Sequence, residues 1–251
     1  SASTSDRDNA GDHGPRHLLD MLDSLSFLAK SVLAEQADLG IIVDNNAERL
    51  LLVDEEGNRV SDDLLMALMS LLVLKSQEGA TVAVPVTASR IIEDMARSYR
   101  GRVIRTRANP RSVMEKAIEE KIFIGGKRLP GFQAPFDALF SLGKILETMA
   151  RDGISLSELV SMVPEFYISK RSVKCPWEAK GKVMRTLIDE TRTKKVELID
   201  GIKVYHETGW ALVLPDSEEP LFHIYSEAST PGEAEALREA YMNRINEIGL
   251  I

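Results

Sequence analysis

The sequence predicts an α/β three-layer domain followed by an α+β domain, the latter with a four-stranded antiparallel sheet and helices on one face. Three observations predict this. Between 38 and 152, short β-branched runs alternate with stretches of helical apolar period, the pattern of layered α/β domains. After 195, four short strand candidates crowd together with Asp200-Gly201 and Thr208-Gly209 between them, which is hairpin chemistry. Between the two patterns, Ser155-Leu-Ser-Glu158 reads as a capping box, opening a helix.

Each element follows in order. Residues 1–16 are polar, small and Gly/Pro-bearing, and are expected to be a disordered linker. An apolar helical period begins at Leu18 and runs to Gln36, so 17–37 is a helix. DLGIIVD (38–44) and RLLLVD (49–54) read as strands, with turn chemistry at Glu56-Gly57. Ser61 caps a helix to about Gln77, with Asp62 and Asp63 in its first turn. TVAVPV (81–86), RVIRT (102–106) and IFIGG (122–126) are strand candidates. Helices are expected over 89–99, 111–120 and 134–151, and the alternation implies a mostly parallel layer over 38–152. A hinge is expected over 153–162, near Asp152-Gly153. The second domain (163–251) opens with an extended run to Cys175, and Pro176 then starts a helix to about Thr191. The strand candidates KVELI, IKVYHE, WALVLP and LFHIYSEA follow, and Pro231 starts a last helix.

Composition excludes several classes. The chain has 251 residues and a formal net charge of -8, which argues against a nucleic-acid partner. One cysteine, Cys175, excludes an internal disulfide and a Cys-based zinc site. The four histidines show no metal-ligand spacing, and no apolar run approaches a membrane span. A soluble cytoplasmic protein is expected, with no membrane partner.

The stretch DLGIIVDNNAERLLLVDEEGNRVSDDLLMAL resembles the opening of the third domain of the α-D-phosphohexomutases (phosphomannomutases and phosphoglucomutases). The resemblance continues through TVAVPVTAS, RVIRTRANPRSVMEKA and DGIKVYHETGWALVLPDSEEPLFHIYSEAST, and covers almost everything after residue 17. It implies that 17–37 ends a preceding domain, 38–152 is domain three and 163–251 is domain four. The loop DNNAER and the segment KCPWEAKGKVMR look most like the mutase-like C-terminal half of mannose-1-phosphate guanylyltransferase-type nucleotidyltransferases. That resemblance implies an upstream nucleotidyltransferase and two further mutase-like domains as partners in the same chain, with a homo-oligomer as another candidate assembly.

The resemblance also locates three chemistry loops. In the metal loop, Asp44, Asn46 and Glu48 fall on the family's three Asp positions and Arg49 on its Arg. Mg²⁺ prefers hard oxygens in octahedral geometry. Asn46 removes a charge and Glu48 lengthens a side chain, so Mg²⁺ binding is expected to be weak or absent and no cofactor is assigned. The alternative is that these residues only solvate the loop. In the sugar loop, Gly125-Gly126-Lys127-Arg128-Leu129 stands where the family has Gly-Gly-Glu-x-Ser. Lys127 and Leu129 cannot accept hexose hydroxyls as Glu and Ser do. In the phosphate loop, Leu214, Asp216, Ser217 and Glu218 replace the Arg, Ser, Gly and Thr of Arg-Pro-Ser-Gly-Thr-Glu-Pro. A dianionic phosphate would meet carboxylates there, at a cost on the order of a few kcal/mol per close pair before screening. Arg49 and Arg111 are candidate anion contacts, although the cluster Arg100, Arg102, Arg105, Arg107 and Arg111 reads more simply as a basic face paired with the acidic excess. Cys175 and Trp177 read as a buried thiol beside an aromatic anchor, and His223 as a sheet-face residue. The expected function is a catalytically degenerate mutase-like region of a nucleotidyltransferase, with no catalytic residue of its own. The runner-up is an active or altered-specificity Mg-dependent phosphosugar mutase, and a third reading is a sensor that binds a sugar nucleotide.

Overall fold

The computed structural model describes residues 15–44, 47, 49–120 and 138–249, with side chains from residue 24 onward. In chain order the elements are α1 (Pro15–Glu35), β1 (Leu39–Val43), β2 (Leu50–Asp54), β3 (Arg59–Val60), α2 (Asp62–Ser76), β4 (Thr81–Pro85), α3 (Ile91–Ser98), β5 (Arg102–Thr106), α4 (Pro110–Glu119), α5 (Ala138–Asp152) and α6 (Leu156–Ser161). Then come β6 (Tyr167–Lys174), α7 (Trp177–Glu190), β7 (Val196–Glu197), β8 (Ile202–Tyr205), β9 (Gly209–Pro215), β10 (Leu221–Ala228) and α8 (Pro231–Gly249). Two compact units form, one from Ser1–Asp62 with Asp137–Ser161 and one from Asp63–Phe136 with Met162–Ile251. Among the described residues, no helix is long and apolar enough to cross a membrane.

In the first unit, β1, β2 and β3 form an antiparallel sheet in that order, with Leu39 opposite Asp54 and Leu52 opposite Val60. The expectation of a mostly parallel layer fails here. The connections after β1 and β2 are too short for a crossover, and only hairpins can be closed by so few residues. Among the described residues the parallel pairing is β4 with β5. Leu25 and Val32 of α1 pack on Leu51 and Val53 of β2. Gly40 allows that approach, because a Cβ there would lie 2.6 Å from Val32 Cγ2. The expected turn forms: Asp54 Oδ1 accepts from the N–H groups of Glu56 and Asn58, and Gly57 takes a positive φ of 84°. The capping box also forms. Glu158 accepts from Ser155 N at 2.8 Å and Glu158 N donates to Ser155 Oγ at 3.2 Å. Gly153, at φ 66°, ends α5 by donating to Met149 O. IFIGG and the start of the helix expected at 134 lie outside the described residues.

In the second unit the antiparallel sheet has five strands rather than four, in the order β6-β10-β9-β8-β7. The extra member is β6, paired with β10 from Tyr167↔Ala228 to Lys174↔Leu221. Its extended character was legible, but α7 separates it from the other strands in sequence, so its pairing is a long-range fact. KVELI contributes only the short edge β7. One face of the sheet (Val173, Ile202, Val204, Ala211, Val213, Phe222 and Ile224) packs on Val183 and Leu187 of α7 and on Tyr241, Ile245 and Ile248 of α8. On the opposite face, Trp210 and Leu212 are fully buried with Val86, beside Ala108, Leu214 and Tyr225.

Candidate functional site

The loop after β1 belongs to the first unit. Asp44 Oδ1 accepts from Arg49 N at 3.0 Å, Asp44 N donates to Arg49 O, and Ala47 N donates to Asp44 O with Ala47 at φ 56°. The Arg49 guanidinium reaches Asp62 Oδ2 at 3.2 Å. Asp44 is therefore an oxygen donor braced by the backbone of its own loop. Asn46 and Glu48 lie outside the described residues, as do Gly125, Gly126, Lys127 and Leu129 of the sugar loop. Among the described residues, no group of three or more His, Cys, Asp and Glu side chains is placed to hold a metal ion.

The loop after β9 belongs to the second unit. Asp216 Oδ1 accepts from Glu218 N and Glu219 N, each at 2.7 Å, and Asp216 Oδ2 lies 2.7 Å from His223 Nε2. These backbone bonds, then the imidazole, hold the Asp216 carboxyl down at about 2. The other His223 ring nitrogen, Nδ1, lies 2.9 Å from Ser172 Oγ across the β6–β10 pair. On the other side of the loop, Lys180 Nζ donates to Asp216 O at 2.6 Å and Glu219 O at 2.5 Å, and stands 3.8 Å over the Trp177 ring. The loop's N–H groups at 218 and 219 and its carbonyls at 216 and 219 are thus taken up by its own protein. Leu214 packs in the apolar layer with Trp210, while Ser217 and Glu218 are exposed. An anion arriving here finds the two backbone donors already engaged by a carboxylate.

Four of the five clustered arginines are paired: Arg100 with Glu78, Arg102 with Glu120, Arg105 with Glu93 and Arg111 with Glu115. Cys175 is 1% exposed, and burial raises its thiol pKa. Trp177, expected as an anchor, is instead 49% exposed and serves as a platform for Lys180. Sequence reasoning missed Lys180, whose partners are backbone carbonyls some 36 residues or more away and carry no residue-type signal. It also missed Lys203, 1% exposed. Lys203 lies opposite Leu212 of β9, on the sheet face covered by Val86, a residue more than 100 positions away, so no local pattern marks its burial.

A family model described as phosphoglucomutase/phosphomannomutase, alpha/beta/alpha domain III, matches residues 61–167. Residues 61–167 belong to the phosphohexomutase superfamily. Similarity to curated mutases extends further along the chain. A "Probable phosphoglucosamine mutase" of Methanopyrus kandleri is 32% identical over 88% of this chain and 50% of its own length. A "Phosphoglucomutase/phosphomannomutase" of Thermococcus kodakarensis is 27% identical over 90% of the chain and 51% of its length, and a "Phosphopentomutase" of the same organism is 28% identical over 90% and 52%. The chain spans about half the length of the curated relatives it matches. The fold is that of a phosphoglucomutase/phosphomannomutase family protein from Burkholderia thailandensis (TM-score 0.72, 20% identity, 90% of this chain and 50% of that one). These phosphohexomutase relatives overturn the expected nucleotidyltransferase fusion with a degenerate mutase half. The similar proteins are named as mutases in their own right, so the resemblance of DNNAER and KCPWEAKGKVMR to the fused group misled.

Proposed function

We propose that this chain carries the third- and fourth-domain portion of a phosphosugar mutase of altered specificity. In this reading 38–152 and 163–251 are the two domains. The observation that carries the altered specificity is the Asp216 carboxylate on Glu218 N and Glu219 N. Phosphoryl transfer depends on positioning and charge neutralisation, so a loop that meets the substrate with carboxylates does not itself hold a dianionic distal phosphate. The favoured substrate is a phosphosugar whose far phosphate is held by contacts outside this loop, both in the monophosphate and after the phosphoryl group has been added at the other end. Asp44, with Asn46 and Glu48, is where Mg²⁺ would be held, supplying charge neutralisation at the reacting phosphoryl group.

Binding is followed by ³¹P NMR, adding the protein to glucose 1-phosphate, glucosamine 1-phosphate and glucose 1,6-bisphosphate with and without Mg²⁺. The monophosphates and the bisphosphate should all shift or broaden. The triple variant Leu214→Arg, Asp216→Ser, Glu218→Thr should bind the bisphosphate more tightly than the unmodified protein does. Equal or weaker binding of the bisphosphate by the triple variant overturns the altered-specificity reading. Silence with every phosphosugar and with the triple variant overturns the mutase reading.

A further inference from the structure

Two side chains of the five-stranded sheet, and one from its β7–β8 turn, reach the backbone of the loops that follow β4 and β5, all inside the second unit. Lys203 Nζ donates to Val86 O at 2.9 Å. Asp200 Oδ2 accepts from Ala108 N at 2.9 Å. The Glu227 carboxylate accepts from Arg90 N at 3.0 and 3.3 Å, just ahead of α3. From beneath, Arg105 holds the same loop, donating to the carbonyls of Pro85, Ala88 and Ser89 and to Glu93. The apolar layer of Val86, Trp210 and Leu212 fills the space between.

Lys203 is the unusual member. Its ammonium would carry three donors into a fully buried layer, where Val86 O is its one hydrogen-bond acceptor among the described residues and the Trp210 ring lies 3.7 Å away. The ammonium brings one more N–H and a full charge into a layer that offers one carbonyl and the face of Trp210, so burial costs the charged form more than the neutral amine.

We propose that Lys203, with Asp200 and Glu227, is a proton-linked clamp that fixes the five-stranded sheet on the loops after β4 and β5, tightening as Lys203 gives up its proton. The charged and titratable groups facing Lys203 are Arg105 from β5, Glu93 from α3, Glu197 from β7, Tyr205 from β8 and Glu227 from β10. Burial, then Arg105, pushes the Lys203 amine down to about 7, against the partial opposition of the three glutamates. Released into water, the amine would return to the ordinary lysine range. The released state therefore binds the extra proton between pH 7 and about 10, and the clamp strengthens across that window. Below pH 7 both states are charged and the clamp is at its weakest.

The test is hydrogen exchange of the whole chain between pH 5.5 and 9.5, corrected for intrinsic rates. Protection of the Arg90 and Ala108 amides should be flat below pH 7 and then rise by up to about tenfold per pH unit. Lys203→Met keeps the length of the side chain and removes the proton, so its profile should be flat throughout. Asp200→Ala should lower Ala108 protection at every pH but retain the slope. A flat profile in the unmodified protein, or the same slope in Lys203→Met, overturns the proposal. Should Lys203→Met not fold, the slope in Asp200→Ala still decides, because its absence there overturns the clamp equally.

Discussion

The Nε2 atom of His223 and the Oδ2 atom of Asp216 lie 2.7 Å apart, joining β10 to the loop before it. The bond completes a carboxylate whose other oxygen is held by two backbone N–H groups. An ordered loop at this point does not need a bound phosphate, because the carboxylate supplies the negative charge that its donors select.

Asp216 should therefore give the fold a distinct acid dependence. Its carboxyl is held below its ordinary value, at about 2. The sign follows from linkage: the stabilisation is present above the unfolded value near 4 and is lost as pH falls through about 2. Asp216→Asn should be less stable than the unmodified protein at pH 6, and the difference should shrink towards pH 2. Urea titrations at a series of pH values check this, and a difference that grows on acidification would refute it.

Lys180 should matter through its two carbonyl bonds. Lys180→Met keeps the stem over Trp177 but strands Asp216 O and Glu219 O, with an expected cost of about 1–3 kcal/mol. Equilibrium unfolding in urea measures it. A cost within error of zero would mean that water replaces the ammonium at no loss.

Gly209 stands in extended backbone at the start of β9, where a Cβ would lie 1.8 Å from Glu227 O. Gly209→Ala must push β9 from β10, and should cost at least the ~1–3 kcal/mol typical of overpacking. The thermal midpoint should fall accordingly. Gly232→Ala, with nothing within 4 Å of the new Cβ, is the control and should leave it nearly unchanged.

Cys175 should be silent to thiol reagents in the native state. It is buried, and its raised pKa keeps it protonated at neutral pH. Reaction with a disulfide reagent should be slow in buffer and fast in denaturing urea. Fast native labelling would mean that the strand-to-helix junction at Pro176 opens readily.

By itself the sequence determined the local elements and their ends. The capping box at Ser155 and Glu158, the turn at Gly57, the hairpin at Gly201 and the Pro231 helix start all depend on residues within a few positions of one another. It also determined which chemistry-bearing types stand at Asp44 and at Leu214–Glu218, because that is a matter of identity alone. The resemblance to the family whose model matches 61–167 was legible in the same way, whereas the subgroup was not, since a few matching loop residues carry less than similarity spread over nine-tenths of a chain. Only the tertiary structure decided the rest. It added β6 to the sheet through a partner more than 45 residues away. It turned the strand pair at Asp44 antiparallel, buried Lys203 under Trp210 and set Lys180 on the carbonyls of the 216–219 loop. The physical reason is common to these cases: each depends on backbone groups or apolar surfaces that come from distant segments. A backbone carbonyl has the same chemistry in every residue, so nothing in the one-dimensional pattern marks where it will be met.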